Sequence, residues 1–344
     1  MTISGNTGTE ESYTVEAAIL DGYEDPSASE ADIEFGDGIN VFLAGDSTVK
    51  DYSTAGMYMS GKSQNEGSWG EYLQSFFDSK KVTIVNYANG GRSSRNFINE
   101  GSLDKIAENL KEGDYLLIQF GHNDCSNAAG YLEDRYVPLG MPDANGVYPV
   151  TAGTKVATPS SLQSKYGDTF YSYDCGGTYK WYLKQYIDAA KAKGAIPVLV
   201  TPVSRMYYNS DGTIRAHHDA TDATTNTQVT TNNAYVTAVK QLAEEENVLL
   251  IDGFELTKDM FETAWTAAGN DTYGKQVMNT GDSTHNNKLG GVIIAAYIAA
   301  DIQNKGLNIS KAVQMPGKVI GETTDSKTVF TISGAHKLTA YDIL

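Results

Sequence analysis

Cysteine is nearly absent from this chain: Cys125 and Cys175 are the only two in 344 residues. That is too few for a disulfide framework, and it is compatible with a reducing or an oxidising compartment. The pair brackets one loop-like segment, so a single bridge closing that loop and two free thiols both stay open. Positive charge is scarce too. Only 26 lysines and arginines face 43 acidic residues, a formal net charge of -17. A nucleic-acid backbone and an anionic membrane surface are therefore poor partners. No apolar run approaches the length of a membrane span. Residues 1–14, MTISGNTGTEESYT, have neither a basic start nor an apolar centre, so no signal peptide is read in them. No internal repeat or low-complexity tract is visible.

What is present is ordinary globular material, 40% hydrophobic and 20% charged, long enough for one large domain with appendages. Residues 1–38 are polar and acidic and read as an extension with short strands. From residue 39 the texture changes to short, branched apolar runs bounded by Gly, Pro, Asp or Asn: INVFLAG, VTIVNYA, DYLLIQFG, IPVLVTP and NVLLID. Runs without polar alternation fit strands buried on both faces. Helical patterns lie between them at 68–81, 102–113, 177–194, 232–246 and 286–306. Ser102 reads as a helix-opening residue, and Gly113 and Gly194 as glycines just past helix ends. Strand–helix alternation predicts an α/β fold with a parallel sheet covered on both sides. The catalytic-domain candidate spans 39–308, interrupted by insertions at 125–177 and 205–230. Residues 309–344 read as a C-terminal β extension that packs with the N-terminal strands.

Four short motifs fall where chemistry would be expected. Ser47 follows the first strand in VFLAGDST; Gly91 and Asn123 follow the next two, in NYANGGRSSR and FGHND; Asp282 and His285 sit in DSTH, before the last long helix. A serine hydroxyl is a weak nucleophile until a base takes its proton. The Asp-X-X-His spacing lets a carboxylate orient that base. The Ser47 N–H, the Gly91 N–H and the Asn123 amide supply three donors for an oxyanion. Each motif alone is ordinary turn or cap chemistry. Their conjunction at one rim of a parallel sheet, the rim where open α/β sheets bind ligands, is what points to acyl transfer.

The set is similar to the SGNH (GDSL) hydrolase superfamily, whose four blocks are matched by Ser47, Gly91, Asn123 and His285. Within it, SWGEYL, NYANGGRSSRNFINEG, GDYLLIQFGHND and KGAIPVLVTPVSR resemble the rhamnogalacturonan acetylesterases, the family-12 carbohydrate esterases, over residues 40–305. The resemblance implies a three-layer α/β/α, flavodoxin-like fold with a five-stranded parallel sheet. It implies a secreted, monomeric serine esterase that removes O-acetyl groups from plant cell-wall polysaccharide through an acyl-enzyme, with no metal and no cofactor. The partner it implies is an acetylated polysaccharide or oligosaccharide. Three features depart from the family: the length of 125–177, the loop 205–230, and Asn286 in place of the phenylalanine expected after the histidine.

Candidate substrate contacts are Arg92 and Arg205, which could meet a uronate carboxylate, Trp69, and Tyr207 as a ring platform. Arg95 reads as solvated or paired with an acid. Tyr131, Tyr136, Tyr148, Tyr166, Tyr171, Tyr173 and Tyr208 read mainly as packing for the insertions. His217, His218 and Asp219 suggest a metal site on paper, but no further ligand pattern accompanies them, so no metal is assigned. Asp46 is expected to hold the Ser47 turn. The excess acidic charge opposes a polyuronate at long range and leaves a neutral acetylated xylan untouched. Two rival readings remain: a short-chain or lipase-like acyl esterase with the same machinery, and a catalytically dead carbohydrate-binding protein.

Overall fold

Among the described residues, five of the ten strands form one parallel sheet. The structure, a computed structural model, describes residues 2–3, 38–53, 66–126, 131–220, 232–314, 319–323 and 326–331. Expected strands within 4–37, the loop tip 221–231 and the tail beyond 331 lie outside the described residues. The strands are β1 (Thr2–Ile3), β2 (Ile39–Gly45), β3 (Val82–Asn86), β4 (Tyr115–Gln119), β5 (Val156–Ala157), β6 (Thr169–Phe170), β7 (Ile196–Val200), β8 (Leu249–Ile251), β9 (Val319–Thr323) and β10 (Ser326–Thr331). The sheet order is β3-β2-β4-β7-β8, every pair parallel. These five strands coincide with the five apolar runs. The reason is visible along β2: Val41 and Leu43 enter one core, Phe42 and Ala44 the other. Both faces are dry, so the period-2 alternation of a half-exposed strand is missing.

The helices are α1 (Trp69–Tyr72), α2 (Ser94–Asn99), α3 (Ser102–Asn109), α4 (Gln163–Tyr166), α5 (Tyr179–Ala192), α6 (Ala234–Glu245), α7 (Gly253–Ala268), α8 (Thr272–Gln276) and α9 (Lys288–Asn304). Side chains of α1, α7 and α9 share a core with Val41 and Leu43, and those of α2, α3, α5 and α6 with Phe42 and Ala44. This is the three-layer α/β/α arrangement. Almost all of α9 is buried, as expected for a helix that is apolar all round. The expected helix at 68–81 is shorter: α1 passes into a 3₁₀ turn at Leu73–Phe76. Ser102 is the first helical residue of α3, and its cap is Gly101 at φ 73°. Gly194, at φ 71°, directly follows the α5 cap Lys193, whereas Gly113 lies beyond the extended α3 cap Leu110. Helix α7 was not expected. Its cap Asp252 accepts from Glu255 N at 3.4 Å.

A separate three-stranded antiparallel sheet joins the termini, with Ile3 opposite Phe330 and β10 pairing β9. No helix among the described residues is long and apolar enough to cross a membrane.

Arg95 is not solvated, and among the described residues it is not paired with an acid. It is fully buried and donates to the carbonyls of Leu132, Glu133, Tyr136 and Tyr171, pinning the 131–171 segment to α2. Tyr136, Tyr148 and Tyr166 are buried within that insertion. Cys125 and Cys175 are free thiols, engaged with the His122 carbonyl at 3.7 Å and the Tyr182 hydroxyl at 3.1 Å. Burial pushes the Cys125 thiol up to about 11.

Candidate active site

Strand β2 lies where the chain order of the sheet reverses. β3 flanks it on one side and β4 on the other, so the turn after Gly45 opens into the crevice where such sheets bind ligands. Asp46 builds that turn. Its carbonyl accepts from Val49 N and Lys50 N at 3.1 and 3.0 Å. Its Oδ1 accepts from the backbone N and the hydroxyl of Thr48, both at 2.8 Å, and its Oδ2 meets His122 Nδ1 at 3.2 Å. Burial pushes this carboxyl up, but His122 and the Thr48 bonds outweigh burial and hold it below its ordinary range. Gln119 Nε2 donates to Thr48 Oγ1 at 2.6 Å, and Tyr52 OH to the Ser47 carbonyl at 2.8 Å. The turn is fixed by every neighbour of Ser47, which leaves the Ser47 hydroxyl for other work.

That hydroxyl meets His285 Nε2 at 2.9 Å. His285 Nδ1 meets Asp282 Oδ2 at 2.7 Å, while Asp282 Oδ1 accepts from Thr284 N at 2.6 Å and His285 N at 3.1 Å. Burial raises the Asp282 carboxyl, but the His285 ring and these N–H donors hold it well below the usual carboxylate range. The loop is closed behind by Asn286, which is buried and donates from Nδ2 to Val277 O at 3.2 Å. Asn287 caps α9 by accepting from Gly290 N at 3.0 Å.

Opposite lies the Gly91–Asn123 corner. Gly91 is at φ 75°, a backbone region that favours glycine. Among the described residues, neither the Ser47 N–H nor the Gly91 N–H has a hydrogen-bond acceptor. Asn123 Nδ2 donates one hydrogen to Arg92 O at 3.0 Å, so its second is uncommitted to that bond. The corner is held by Asp124, whose Oδ1 accepts from Ser94 N and Oγ at 2.9 and 2.6 Å; burial pushes its carboxyl up to about 7. Asp124 thus ties the start of α2 to the turn after β4.

A cavity of about 220 Å³ joins the two sides, lined by Ser47, His122, Asn123, Ser126, Tyr131, Arg205, Thr284 and His285. Arg205 donates to Thr284 Oγ1 and, at 3.2 Å, to His122 O. Among the described residues it has no carboxylate partner. The structure therefore brings together Ser47, Asn123, Asp282, His285 and Arg205. It does not bring in Trp69, which is 1% exposed and donates from its indole to Gln119 Oε1 at 2.9 Å. Trp69 is a core residue and no substrate contact. Arg92 also turns aside, donating to Glu100 Oε2 and Gly90 O, both at 2.8 Å. Tyr207 lies outside the cavity lining, against the guanidinium groups of Arg205 and Arg215 and the His217 ring. His217 Nε2 accepts from Arg205 N at 2.9 Å, which places its proton on Nδ1, toward Arg215 O at 2.8 Å. His218 meets Val203 O, and Asp219 accepts from Asn232 N and Ala234 N. His122 and Thr284 are lining residues that sequence reasoning passed over. Both lie beside residues already singled out, in GHND and DSTH.

The chain belongs to the GDSL-like lipase/acylhydrolase family, whose profile matches residues 41–298. It is a carboxylic ester hydrolase. Among its relatives, "Probable rhamnogalacturonan acetylesterase YesY" of Bacillus subtilis is 32% identical over 277 residues, 80% of this chain and 97% of that protein. Rhamnogalacturonan acetylesterase RhgT of the same organism is 30% identical over 279 residues, 78% of this chain and 91% of that protein. The crystal structure of protein YxiM from B. subtilis superposes with a TM-score of 0.50 at 23% identity, covering 79% of this chain and 58% of that one; it shares the fold.

Proposed function

We propose that this protein is a serine esterase that removes O-acetyl groups from a pectic polysaccharide of the rhamnogalacturonan type, acting outside the cell. The observation that carries the chemistry is the Ser47–His285–Asp282 relay, at 2.9 and 2.7 Å, opening on a small polar cavity. Ser47 Oγ attacks the acetyl carbonyl while His285 Nε2 takes its proton. Asp282 keeps the proton-bearing Nδ1 in place and stabilises the imidazolium. The tetrahedral oxyanion is received by the Ser47 and Gly91 N–H groups and the Asn123 amide. His285 then protonates the departing sugar alkoxide, leaving acetyl on Ser47. Water then gives a proton to His285 as its oxygen attacks the acyl carbon; the bond from Ser47 Oγ to that carbon breaks, His285 returns the proton to Ser47 Oγ, and acetate leaves.

The names of the two B. subtilis relatives support the substrate class. So does Arg205, a guanidinium in the cavity wall that no carboxylate among the described residues neutralises and that suits a uronate ring. A lipase-like role is less well served: every residue lining the cavity carries a polar side-chain group, and a long acyl chain finds no apolar seat there. Hydrolysis of acetyl and octanoyl esters of one alcohol separates the two readings. The acetyl ester is expected to have the higher kcat/KM, by about tenfold or more; preference for octanoyl would favour the lipase-like role.

A further inference from the structure

Arg135 approaches the Gly91–Asn123 corner from the long insertion, and nothing in the chemistry above uses it. Its Nη1 donates to Asn123 Oδ1 in a long bond of 3.4 Å. Its guanidinium covers Gly91 so closely that a Cβ there would meet Cζ and Nη2 at 3.2 Å. The group is held from two further directions. The Tyr131 ring centroid is 4.2 Å from Cζ, and Nε donates to Asp134 Oδ2 at 3.2 Å. Asp134 is in turn fixed by Lys165 at 2.5 Å and the Tyr166 hydroxyl at 2.8 Å. Lys165 also meets Glu100 at 3.3 Å, and Glu100 holds Arg92. An ion chain thus runs Arg92–Glu100–Lys165–Asp134–Arg135, and its two ends meet on Asn123: Arg92 through its carbonyl at Nδ2, Arg135 through its guanidinium at Oδ1.

A primary amide can turn over and exchange its oxygen and nitrogen. With Arg135 at one end and the Arg92 carbonyl at the other, the turned-over form would set donor against donor and acceptor against acceptor. Only one orientation satisfies both ends, and that orientation leaves an Nδ2 hydrogen for an oxyanion. We infer that Arg135 is a positioning residue for the oxyanion site, holding the Asn123 amide with its donor toward the developing charge. The inference rests on the oxyanion role proposed above for Asn123. Because Arg135 comes from the insertion, the segment that departs from the family pattern supplies part of the catalytic preorganisation.

A double-mutant cycle on the full chain tests this, using an acetyl ester as substrate and thermal unfolding to compare the folds of the variants. Arg135→Gln is expected to lower kcat by about ten- to thirtyfold, the worth of one charge-assisted contact, with KM changed less than about threefold. Asn123→Ala is expected to lose about 10²–10³ in kcat. Adding Arg135→Gln to Asn123→Ala should cost less than about twofold more, because Arg135 acts through the amide already removed. If Arg135→Gln does not fold, Arg135→Lys, which keeps the charge and loses the planar fork, carries the same cycle. Multiplying losses in the double variant, or a raised KM at unchanged kcat, would overturn the inference. Wild-type speed in Asn123→Ala would instead remove the oxyanion role on which it rests.

Discussion

Ser47→Ala is expected to reduce acetyl-ester turnover by about 10⁵–10⁶-fold, the loss seen when a nucleophile acting as part of one catalytic unit is deleted. The fold should not notice the change. The turn around Ser47 is held by Asp46, Thr48, Gln119 and the Ser47 carbonyl, whereas among the described residues the Ser47 side chain bonds only His285. The variant should therefore unfold at the wild-type temperature and still bind the polysaccharide, which makes the loss interpretable as chemistry. Some acceleration over water should survive, because the donors at Gly91 and Asn123 remain in place. Acetate release by a coupled assay, beside a melting curve for each protein, reads both quantities. Turnover within tenfold of wild type would exclude Ser47 as the nucleophile. The same measurement weighs the carbohydrate-binding alternative, since a dead binding protein would release no acetate even with Ser47 intact.

Asp282→Asn should cost about 10⁴-fold in kcat, with KM little changed. Asp282 does two things with two oxygens. Oδ1 caps the N–H groups of Thr284 and His285, and Oδ2 receives the His285 Nδ1 proton at 2.7 Å. Asparagine can keep the first contact through its own carbonyl oxygen, so the loop geometry should hold. Its amide nitrogen must then face Nδ1 and donate to it. That drives the ring proton to Nε2, the atom that has to accept from Ser47 Oγ. The loss comes from the wrong tautomer and from an imidazolium left without its counter-charge. Steady-state kinetics at a pH where wild type is fully active, with thermal unfolding as the control, checks it. A loss below about tenfold would mean that Asp282 only shapes the loop.

These outcomes explain why some of the molecule was legible in the sequence and some was not. The sheet was legible because strands buried on both faces need branched apolar residues at every position; INVFLAG and DYLLIQFG announce β2 and β4 without any tertiary knowledge. Ser47, Gly91, Asn123 and His285 were legible as positions because the fold puts them all on the rim at which the strands end. Helix α7 carries a readable signal in Phe254, Thr257, Met260, Phe261 and Ala264, spaced for one buried face, yet it starts two residues after β8 ends, so no loop separates its pattern from the apolar run of the strand. The place of Trp69 is not legible because its indole finds Gln119 fifty residues away in sequence, and no local pattern encodes that partner. Arg95 has the same character, with its four carbonyl acceptors spread over residues 132–171. Arg92 was expected at the substrate, and no part was expected of Arg135. The arginine next to Gly91, the proposed oxyanion glycine, turns to Glu100, and one from an irregular insertion lies over Gly91 instead. Long-range ion chains leave no periodicity to read.

The central claim is that this relay removes acetyl groups from a pectic chain. Its most direct test is the initial rate of acetate release by the wild-type protein on acetylated rhamnogalacturonan, acetylated pectin and acetylated xylan at equal acetyl content. The account predicts release from rhamnogalacturonan faster than from xylan by about tenfold or more, since Arg205 can meet a uronate and has no counterpart on a neutral chain. Equal rates on all three, or xylan the fastest, would contradict it.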